Sequence, residues 1–238
     1  MNIYFKKEED NFTSLDIYIA YLGFKQTQHK LHFYSNITEL KIDKSNMIVS
    51  NISDTIYYLT KLGIPVPAPL NIPYSLNNEF YLKRNIEIKT LHEFYDTWNG
   101  ECPIFIKPYD KVKLFAGGVI RKASSKDFFK EFPDDTKILI SNYIDMSSEY
   151  RCFVNRGKLV GMKHYNSDFR LFPDMKIIDK AIFEYKNAPI SYSIDFAVSE
   201  NNETILIEAN DGWSLGCYGL DAETYSKFLI DRWIELTK

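Results

Sequence analysis

The strongest constraint in this 238-residue sequence is a pair of apolar segments that predicts a β-hairpin with polar groups at fixed positions. Residues 192–198 and 204–210 are rich in β-branched and aromatic side chains, and a polar turn at 200–203 separates them. Because this turn lies midway between Asp195 and Glu208, the two carboxylates should pair across the strands.

The polar residues of this hairpin form a hard, oxygen-rich set. Glu208 and Asn210 are two residues apart, so a strand directs both side chains to one face, where Asp195 joins them from the partner strand. The opposite face should be apolar, formed by Phe196, Val198, Ile205 and Ile207. Mg²⁺ prefers carboxylate and amide oxygens and completes its shell with phosphate oxygens and water. The pattern therefore predicts a magnesium site, with a solvated hairpin face as the alternative.

Basic residues and glycines in the middle of the chain form a second candidate group. Lys107 lies in a strand predicted over 103–108, Lys113 lies in the polar loop that follows, and Gly117 and Gly118 precede another apolar run. Lysine can place a compact cation on phosphate oxygens, and glycine lets the backbone approach a phosphate closely. This order predicts a hairpin lid, although its spacing differs from that of a Walker A loop. Surface lysines in a loop are the alternative.

Arg151 lies within an otherwise apolar strand predicted over 150–154, so it needs an anionic partner. A structural carboxylate would serve, and so would a phosphate or a substrate carboxylate. A further strand, predicted over 137–144, ends in a strand-to-loop hinge that could offer backbone donors and acceptors to an adenine edge. The hinge residues are Asn142, Tyr143 and Ile144.

In this order along the chain, the residues resemble the ATP-grasp superfamily, over roughly residues 50–238. The pattern is similar to that of the ribosomal-protein glutamate ligases. Within the superfamily it resembles most a small subfamily, partly found in phages, that is named for one signature arginine and two lysines. The most specific feature of the resemblance is the paired Asp195 and Glu208-Ala209-Asn210 at its end.

The resemblance implies a role for each candidate residue. Lys107 would contact the ATP phosphates from the lid side, Lys113 would be the second lysine of the subfamily, and Arg151 would lie near the γ-phosphate or the acyl-phosphate. The implied magnesium ligands are Asp195, Glu208 and Asn210. The implied nucleotide contacts also include Gly117, Gly118, Asn142, Tyr143 and Ile144.

The chemistry that the resemblance implies uses ATP and Mg²⁺ to join a carboxylate to an amine. ATP would phosphorylate the substrate carboxylate, and an amine would then attack the acyl-phosphate. A peptide or an amino acid is the expected kind of substrate. Two alternatives stay open at this point: an ATP-binding protein without ligase activity, and a nucleic-acid-modifying enzyme with the same ATP site.

The implied fold is α/β (α+β), with two lobes that each contain an antiparallel sheet and helices. A small α/β N-terminal unit would precede them. The stretch at 64–69 contains three prolines and cannot be helical, because proline lacks the N–H group and fixes φ, so we expect a boundary there. The predicted domains are 1–70 for the N-terminal unit and 71–238 for the ATP-grasp domain, divided into a lid-bearing lobe, 71–140, and a metal-binding lobe, 141–238.

Local patterns predict several elements of this fold. Helices are expected over 12–22, 90–98 and 221–237, and another should begin at Ser53-Asp54-Thr55 and end at Gly63. Short strands are expected over 2–5 and 47–49, a short helix over 127–132, and a hairpin over 150–162 with its turn at 155–157.

Three features have no settled interpretation. Many ATP-grasp enzymes carry a further phosphate lysine before the lid, and the only obvious basic pair there is Lys83-Arg84. The segment at 211–219 contains three glycines, which suggest a close backbone approach to a ligand or else an ordinary structural loop. His164 would meet a phosphate, accept a proton or be an ordinary surface histidine.

Composition sets limits on the partners and the compartment. The 29 basic and 32 acidic residues give a net charge of −3, which argues against a nucleic-acid partner. No window approaches the ~18 apolar residues of a membrane span. Cys102, Cys152 and Cys217 form no CxxC pair, and no apolar signal segment follows Met1, so we expect a cytoplasmic protein in a reducing compartment.

Overall fold

A computed structural model of the chain describes residues 1–111 and 114–238. Lys113, one of the predicted phosphate contacts, lies outside the described residues. The described strands are β1 (Asn2–Glu8), β2 (Asn11–Phe12), β3 (Lys30–Tyr34), β4 (Asn46–Val49), β5 (Ile86–Thr90), β6 (Ile104–Pro108), β7 (Gly118–Ile120), β8 (Lys137–Asn142), β9 (Met146–Asn155), β10 (Lys158–Ser167), β11 (Ser191–Ser199) and β12 (Thr204–Asp211). The α-helices are α1 (Leu15–Phe24), α2 (Ile52–Lys61), α3 (Glu79–Leu82), α4 (Leu91–Thr97), α5 (Met175–Glu184) and α6 (Ala222–Thr237).

The first sheet is built around β1, which pairs in parallel with β3 and β4 and antiparallel with β2. Two predicted helix starts are corrected here. Phe12 lies in a strand, so α1 begins only at Leu15, after its N-cap Ser14. The cap of α2 is Asn51, whose Oδ1 accepts the N–H of Asp54 at 2.9 Å, and the helix therefore starts before the predicted Ser53.

The second sheet has the order β5-β8-β6-β7 and is antiparallel throughout. One of its faces packs against α4 and the 3-10 helix Ala123–Glu131 in a core that includes Ile104, Ile106 and Phe94. Thr90 caps α4 through a reciprocal bond with Glu93. Because side chains alternate along a strand, Phe105 and Lys107 point away from this core.

The third sheet has the order β10-β9-β11-β12 and is buried on both faces. Cys152 and Val154 of β9 face a core that contains Ile178 and Ala181 of α5. Phe153, between them, faces the opposite core, with Phe228. Arg151 lies on the Phe153 side of the sheet because it is two residues away along the strand.

The predicted pairing of Asp195 with Glu208 is confirmed, because the two residues are partners across β11 and β12. The predicted apolar face is wrong in part. A bulge follows Asp195, so Phe196 pairs with Leu206 and not with Ile205 or Ile207. Phe196 and Leu206 share one core, whereas Ile205 opposes Ala197.

Helix α6 returns to the first sheet and closes its core. Tyr225, Phe228, Leu229 and Trp233 form the apolar face that the sequence predicts, and they belong to the same buried cluster as the first-sheet residues Ile3 and Phe5. The Trp233 Nε1–H donates to the carbonyl of Asn46 at 3.1 Å. The α/β architecture with two antiparallel sheets is as predicted. Across residues 1–111 and 114–238, no helix combines the length and the apolar composition that crossing a membrane requires.

Candidate active site

Two cavities meet at Lys107, between the second and third sheets. The hinge cavity, of about 380 Å³, lies between Phe105 and Leu139 on one side and Ile207 on the other. The loop cavity, of about 640 Å³, lies between the proline stretch Pro67–Pro69 and the loop at 213–218. Lys107 lines both cavities and is therefore the joint between them.

The hinge cavity is suited to a flat, largely apolar group. Its walls include Phe105, Val119 and Leu139 from the second sheet, on the face opposite that sheet's core. Ile207, the bulge residue, closes it from the third sheet. The predicted adenine contacts Asn142, Tyr143 and Ile144 all line this cavity, at the end of β8.

Glu208 is paired with the predicted phosphate lysine. Lys107 Nζ lies 2.6 Å from Glu208 Oε2, and Asn210 Nδ2 donates to Glu208 Oε1 at 3.0 Å. Burial raises the pKa of Glu208, but the charge and hydrogen bond of Lys107 outweigh it and leave the pKa below its ordinary value. These two residues connect the second and third sheets, and their charges oppose each other at the junction of the cavities.

Asp195 is paired with Arg151, its cross-strand neighbour on β9. Arg151 Nε donates to both carboxylate oxygens, at 3.0 and 3.2 Å, and Nη2 donates to Oδ2 at 2.6 Å. The Asp195 side chain is only 1% exposed. The pKa of Arg151, which burial alone would lower, is raised by the hydrogen bond and charge of Asp195. The anionic partner that Arg151 requires is thus a carboxylate of the predicted metal set.

The donor set fits one Mg²⁺ ion better than a site enclosed by protein. Within the described residues, no cluster of three or more His, Cys, Asp or Glu side chains could hold a metal. Glu208, whose side chain is 26% exposed, and Asn210 face the cavities, whereas Asp195 is closed off by Arg151. Mg²⁺ commonly binds through one or two carboxylates and takes its remaining ligands from phosphate and water. Glu208 and Asn210 meet this requirement.

Arg84 is a site residue that the sequence left without an assignment. It lines the hinge cavity, and its guanidinium donates to the carbonyls of Leu82, Leu206 and Ile207 at 3.1, 2.8 and 3.1 Å. Burial lowers its pKa to about 10, and the charge of Glu208 opposes this shift. Its neighbour Lys83 lies 3.7 Å from Glu203 instead. Only the tertiary fold separates the two members of this basic pair.

The predicted lid glycines have different surroundings. A Cβ on Gly117 would come within 3.0 Å of Lys107 Cβ and Phe105 Cζ, so glycine allows the chain to lie against β6. Gly117 also lines the loop cavity. Gly118 begins β7 and pairs with Ile106.

The glycines of the 211–219 segment allow close contacts within the protein. A Cβ on Gly212 would lie 2.5 Å from the carbonyl oxygen of Ser191, and one on Gly216 would lie 3.0 Å from Asp16 Oδ2. Asp16 Oδ1 accepts the N–H of Cys217 at 2.8 Å, which holds this segment to α1. These two glycines therefore have structural reasons, while the side chains beside them line the loop cavity.

His164 lies on the other face of the third sheet from Arg151. It pairs with Tyr150 on β9 and packs edge-on against that ring at 5.2 Å, whereas Lys163 is the partner of Arg151. Its position among aromatic rings favours a structural role over contact with a phosphate. No disulfide links Cys102, Cys152 and Cys217, all of which are described.

A family model for the ATP-grasp domain, family 2 of the clade named for one arginine and two lysines, matches residues 81–228, more than half of the chain. The chain belongs to the ATP-grasp family. The matched region contains the second and third sheets, both walls of the hinge cavity and all the candidate residues named above. No curated protein sequence matches the chain significantly.

Solved structures with a similar fold span nearly the whole chain. One is a D-alanine–D-alanine ligase from Bacillus anthracis in complex with ATP, at 12% identity and a TM-score of 0.52, with 99% of this chain and 97% of that chain covered. A second is the D-cycloserine synthetase DcsG, at 9% identity, a TM-score of 0.59 and coverage of 98% and 100%. A third is the macrocyclase MdnC from Microcystis aeruginosa with a precursor peptide, at 12% identity, a TM-score of 0.55 and coverage of 97% and 99%. At these identities the similarity shows the fold alone.

Proposed function

We propose that this ATP-grasp protein is an ATP- and Mg²⁺-dependent ligase that joins a carboxylate to an amine, with a peptide or an amino acid as substrate. The observation that carries the proposal is the junction at Lys107. A flat apolar cavity with a strand-to-loop hinge meets a larger cavity there, and Lys107, Glu208 and Asn210 lie at the meeting point.

The two cavities suggest how the reactants lie. Adenine would occupy the hinge cavity, with its edge against Asn142, Tyr143 and Ile144. The phosphates would pass Lys107 and Arg84, two cations that line the hinge cavity. The donor carboxylate would then reach the terminal phosphate from the loop cavity, which Arg151 and Lys111 line with positive charge and Trp213 and Leu215 line with apolar surface. Such a cavity fits an acid with an apolar body.

The reaction would proceed in two balanced steps. In the first, a carboxylate oxygen of the donor forms a bond to the γ-phosphorus while the bond from that phosphorus to the bridging oxygen breaks, and ADP leaves. In the second, the amine nitrogen attacks the carbonyl carbon, inorganic phosphate leaves, and the amine loses a proton. Phosphoryl transfer depends mainly on positioning and charge neutralisation, which the side chains of Lys107 and Arg151 would supply.

Bound Mg²⁺ would supply additional neutralisation of the phosphate charge. Glu208 and Asn210 are the residues that would hold it, which requires Lys107 to exchange Glu208 for a phosphate oxygen. The segment from Lys111 to Gly117 borders the loop cavity at several of its described residues, including Phe115 and Ala116. In the proposed ligase this segment would limit the access of water, which otherwise hydrolyses an acyl-phosphate.

The proposal is tested first by calorimetric titration of ATP with Mg²⁺ into the wild type and into Glu208→Ala/Asn210→Ala. We expect binding by the wild type that disappears when EDTA replaces Mg²⁺, and a loss of at least tenfold in affinity for the double variant. The matched control is Glu200→Ala/Asn201→Ala, the same two residue types in the exposed turn of the same hairpin. Absence of Mg²⁺-dependent binding by the wild type would refute the nucleotide site.

Ligase activity is tested by ADP release in the presence of panels of carboxylic acids and amines. A ligase releases ADP fully only when both substrates are present, and ¹⁸O from the labelled donor carboxylate appears in the phosphate. ATP binding without release against any pair would favour an ATP-binding protein without ligase activity. A shift of RNA or DNA mobility together with ADP release would favour a nucleic-acid-modifying enzyme.

A further inference from the structure

Arg151 is held so that one edge of its guanidinium is occupied and the other is open. Its Nε and Nη2 groups donate to Asp195 across the strand pair. Arginine has five N–H donors, and this pairing uses the Nε–H and one Nη2–H. The remaining three belong to Nη1 and Nη2. Since Arg151 lines the loop cavity, this unused edge is available to an oxyanion there.

Tyr218 holds the flat face of the same guanidinium. Its ring centroid lies 4.2 Å from the Arg151 Cζ, and the ring also lines the loop cavity. The backbone of Tyr218 has φ +48°, a left-handed conformation that is uncommon for an aromatic residue. Tyr165 lies on the guanidinium more distantly, at 5.7 Å, and its hydroxyl donates to Glu149 at 2.9 Å. The strained residue is therefore the one in close contact with the arginine.

We propose that Asp195 and Tyr218 are positioning residues that hold Arg151 as a preset fork for the terminal phosphate of ATP, and that Asp195 acts through Arg151 and not as a metal ligand. This inference rests on the proposed function, because it assumes that a nucleoside triphosphate occupies the junction of the cavities. It revises the role that the family resemblance implies for Asp195.

Accessibility separates the roles of the two carboxylates. The Asp195 side chain is 1% exposed, and that of Glu208 is 26% exposed. A cation could reach Asp195 only if Arg151 moved away, which would leave a buried guanidinium without its carboxylate. Glu208 needs only to release a lysine, whose flexible side chain can follow a phosphate oxygen. The less costly arrangement keeps Asp195 on the arginine.

The position of the fork selects the terminal phosphate. Arg151 lines the loop cavity and not the hinge cavity, so it lies beyond Lys107 as seen from the adenine hinge. The α- and β-phosphates are nearer the base and would pass Lys107 first. An arginine at that distance should distinguish ATP from ADP.

The experiment compares the dissociation constants of ATP and ADP, both with Mg²⁺, for the wild type and three variants. Asp195→Asn and Tyr218→Leu should each reduce the preference for ATP over ADP at least fivefold, mainly by weakening ATP. Tyr218→Phe keeps the ring over the guanidinium and should preserve the preference within twofold. The matched control is Asp231→Asn, which disrupts the comparable Arg156–Asp231 pair away from both cavities and should not change the preference.

A metal titration separates positioning from ligation. Mn²⁺ binding to the ADP complex is followed by electron paramagnetic resonance of the free ion. Asp195→Asn should leave the Mn²⁺ dissociation constant within threefold of wild type, whereas Glu208→Gln should raise it at least tenfold. An equal rise in both variants would overturn the inference and make Asp195 a metal ligand. An unchanged ATP preference in Tyr218→Leu would overturn the role of Tyr218.

A measurement without nucleotide distinguishes failure of this inference from failure of the proposed function. The ¹⁵N-resolved Nε–H signal of Arg151, assigned by its loss in Arg151→Lys, should exchange with water at least tenfold more slowly than that of the exposed Arg121. Tyr218→Leu should accelerate it, while Tyr218→Phe should not. Fast exchange in the wild type would refute the preset fork, and slow exchange without any ATP binding would refute the nucleotide function instead. Because Tyr218 is 46% exposed, its variants remain informative if Asp195→Asn does not fold.

Discussion

The two antiparallel sheets that enclose the hinge cavity are packed in different ways. The third sheet is buried on both faces, and every residue of β11 is buried. The second sheet has a core on one face only, and the cavity replaces a second core on the other. The Arg151–Asp195 pair lies in the first kind of environment and Lys107 in the second. The difference indicates that one sheet fixes charges in place while the other presents groups that can exchange partners.

The largest effect that we expect from this difference concerns stability. Phe196→Ala should lower the free energy of unfolding by about 3–5 kcal/mol, because a fully buried ring in the third sheet leaves a cavity. Phe105→Ala should cost only about 1 kcal/mol, since this half-buried ring faces the hinge cavity. Urea unfolding of both variants measures the contrast. Equal losses would mean that the cavity face of the second sheet is as tightly packed as the core.

The next effect concerns the cation that the second sheet presents. Lys107→Met should weaken binding of ATP with Mg²⁺ by about 2 kcal/mol, since a charge-assisted contact with phosphate is lost at the joint between the cavities. Isothermal titration calorimetry measures the change. The control is Lys89→Met, a lysine on β5 of the same sheet that pairs with Glu87 outside the two cavities. A similar loss in the control would attribute the effect to net charge alone.

A third effect concerns the cation that is fixed to the third sheet through backbone. Arg84→Met should weaken binding of ATP with Mg²⁺ by about 1.5 kcal/mol and lower the free energy of unfolding by about 1–2 kcal/mol, because the carbonyls of Leu206 and Ile207 lose their donor. Arg84→Lys should recover charge but not the paired contacts, so its affinity should be intermediate. Lys83→Met is the control. Equal affinity of the Met and Lys variants would exclude a charge contribution.

The sequence predicted the elements whose signals are local. The hairpin of β11 and β12 with Asp195 opposite Glu208, the capped helix after Thr90 and the apolar face of α6 all follow from short patterns. The bulge after Asp195 has no comparable signal, and it exchanged Leu206 for the predicted Ile205 and Ile207. Strand pairs β1–β3 and β5–β8 also depend on distant partners, which a local pattern does not specify.

The candidate site was predictable as a set of residue types but not as a set of contacts. The polar spacing identified Lys107, Arg151, Asp195, Glu208 and Asn210. Which cation faces which carboxylate depends on strand register, since Arg151 and Asp195 are 44 residues apart and Lys107 and Glu208 are 101 apart. Arg84 and Tyr218 were missed because their roles come from backbone carbonyls and a guanidinium that only the fold brings near.

The smallest expected effect is a pH dependence of the pair that connects the two sheets. Lys107 keeps the pKa of Glu208 below its ordinary value of 4.5 despite burial. The unfolded chain therefore binds this proton at a higher pH than the folded one does. The stabilisation is present above pH 4.5 and is lost as the pH falls through the folded pKa.

We expect the urea midpoint of the nucleotide-free protein to fall as the pH is lowered from 6 to 3, and to fall less steeply in Glu208→Gln, which cannot release or bind this proton. The exposed Glu200→Gln in the turn of the same hairpin should keep the wild-type slope. Identical slopes for all three proteins would show that Lys107 and Glu208 do not hold the sheets together in solution. The second sheet would then be as free of the third as its one-sided core allows.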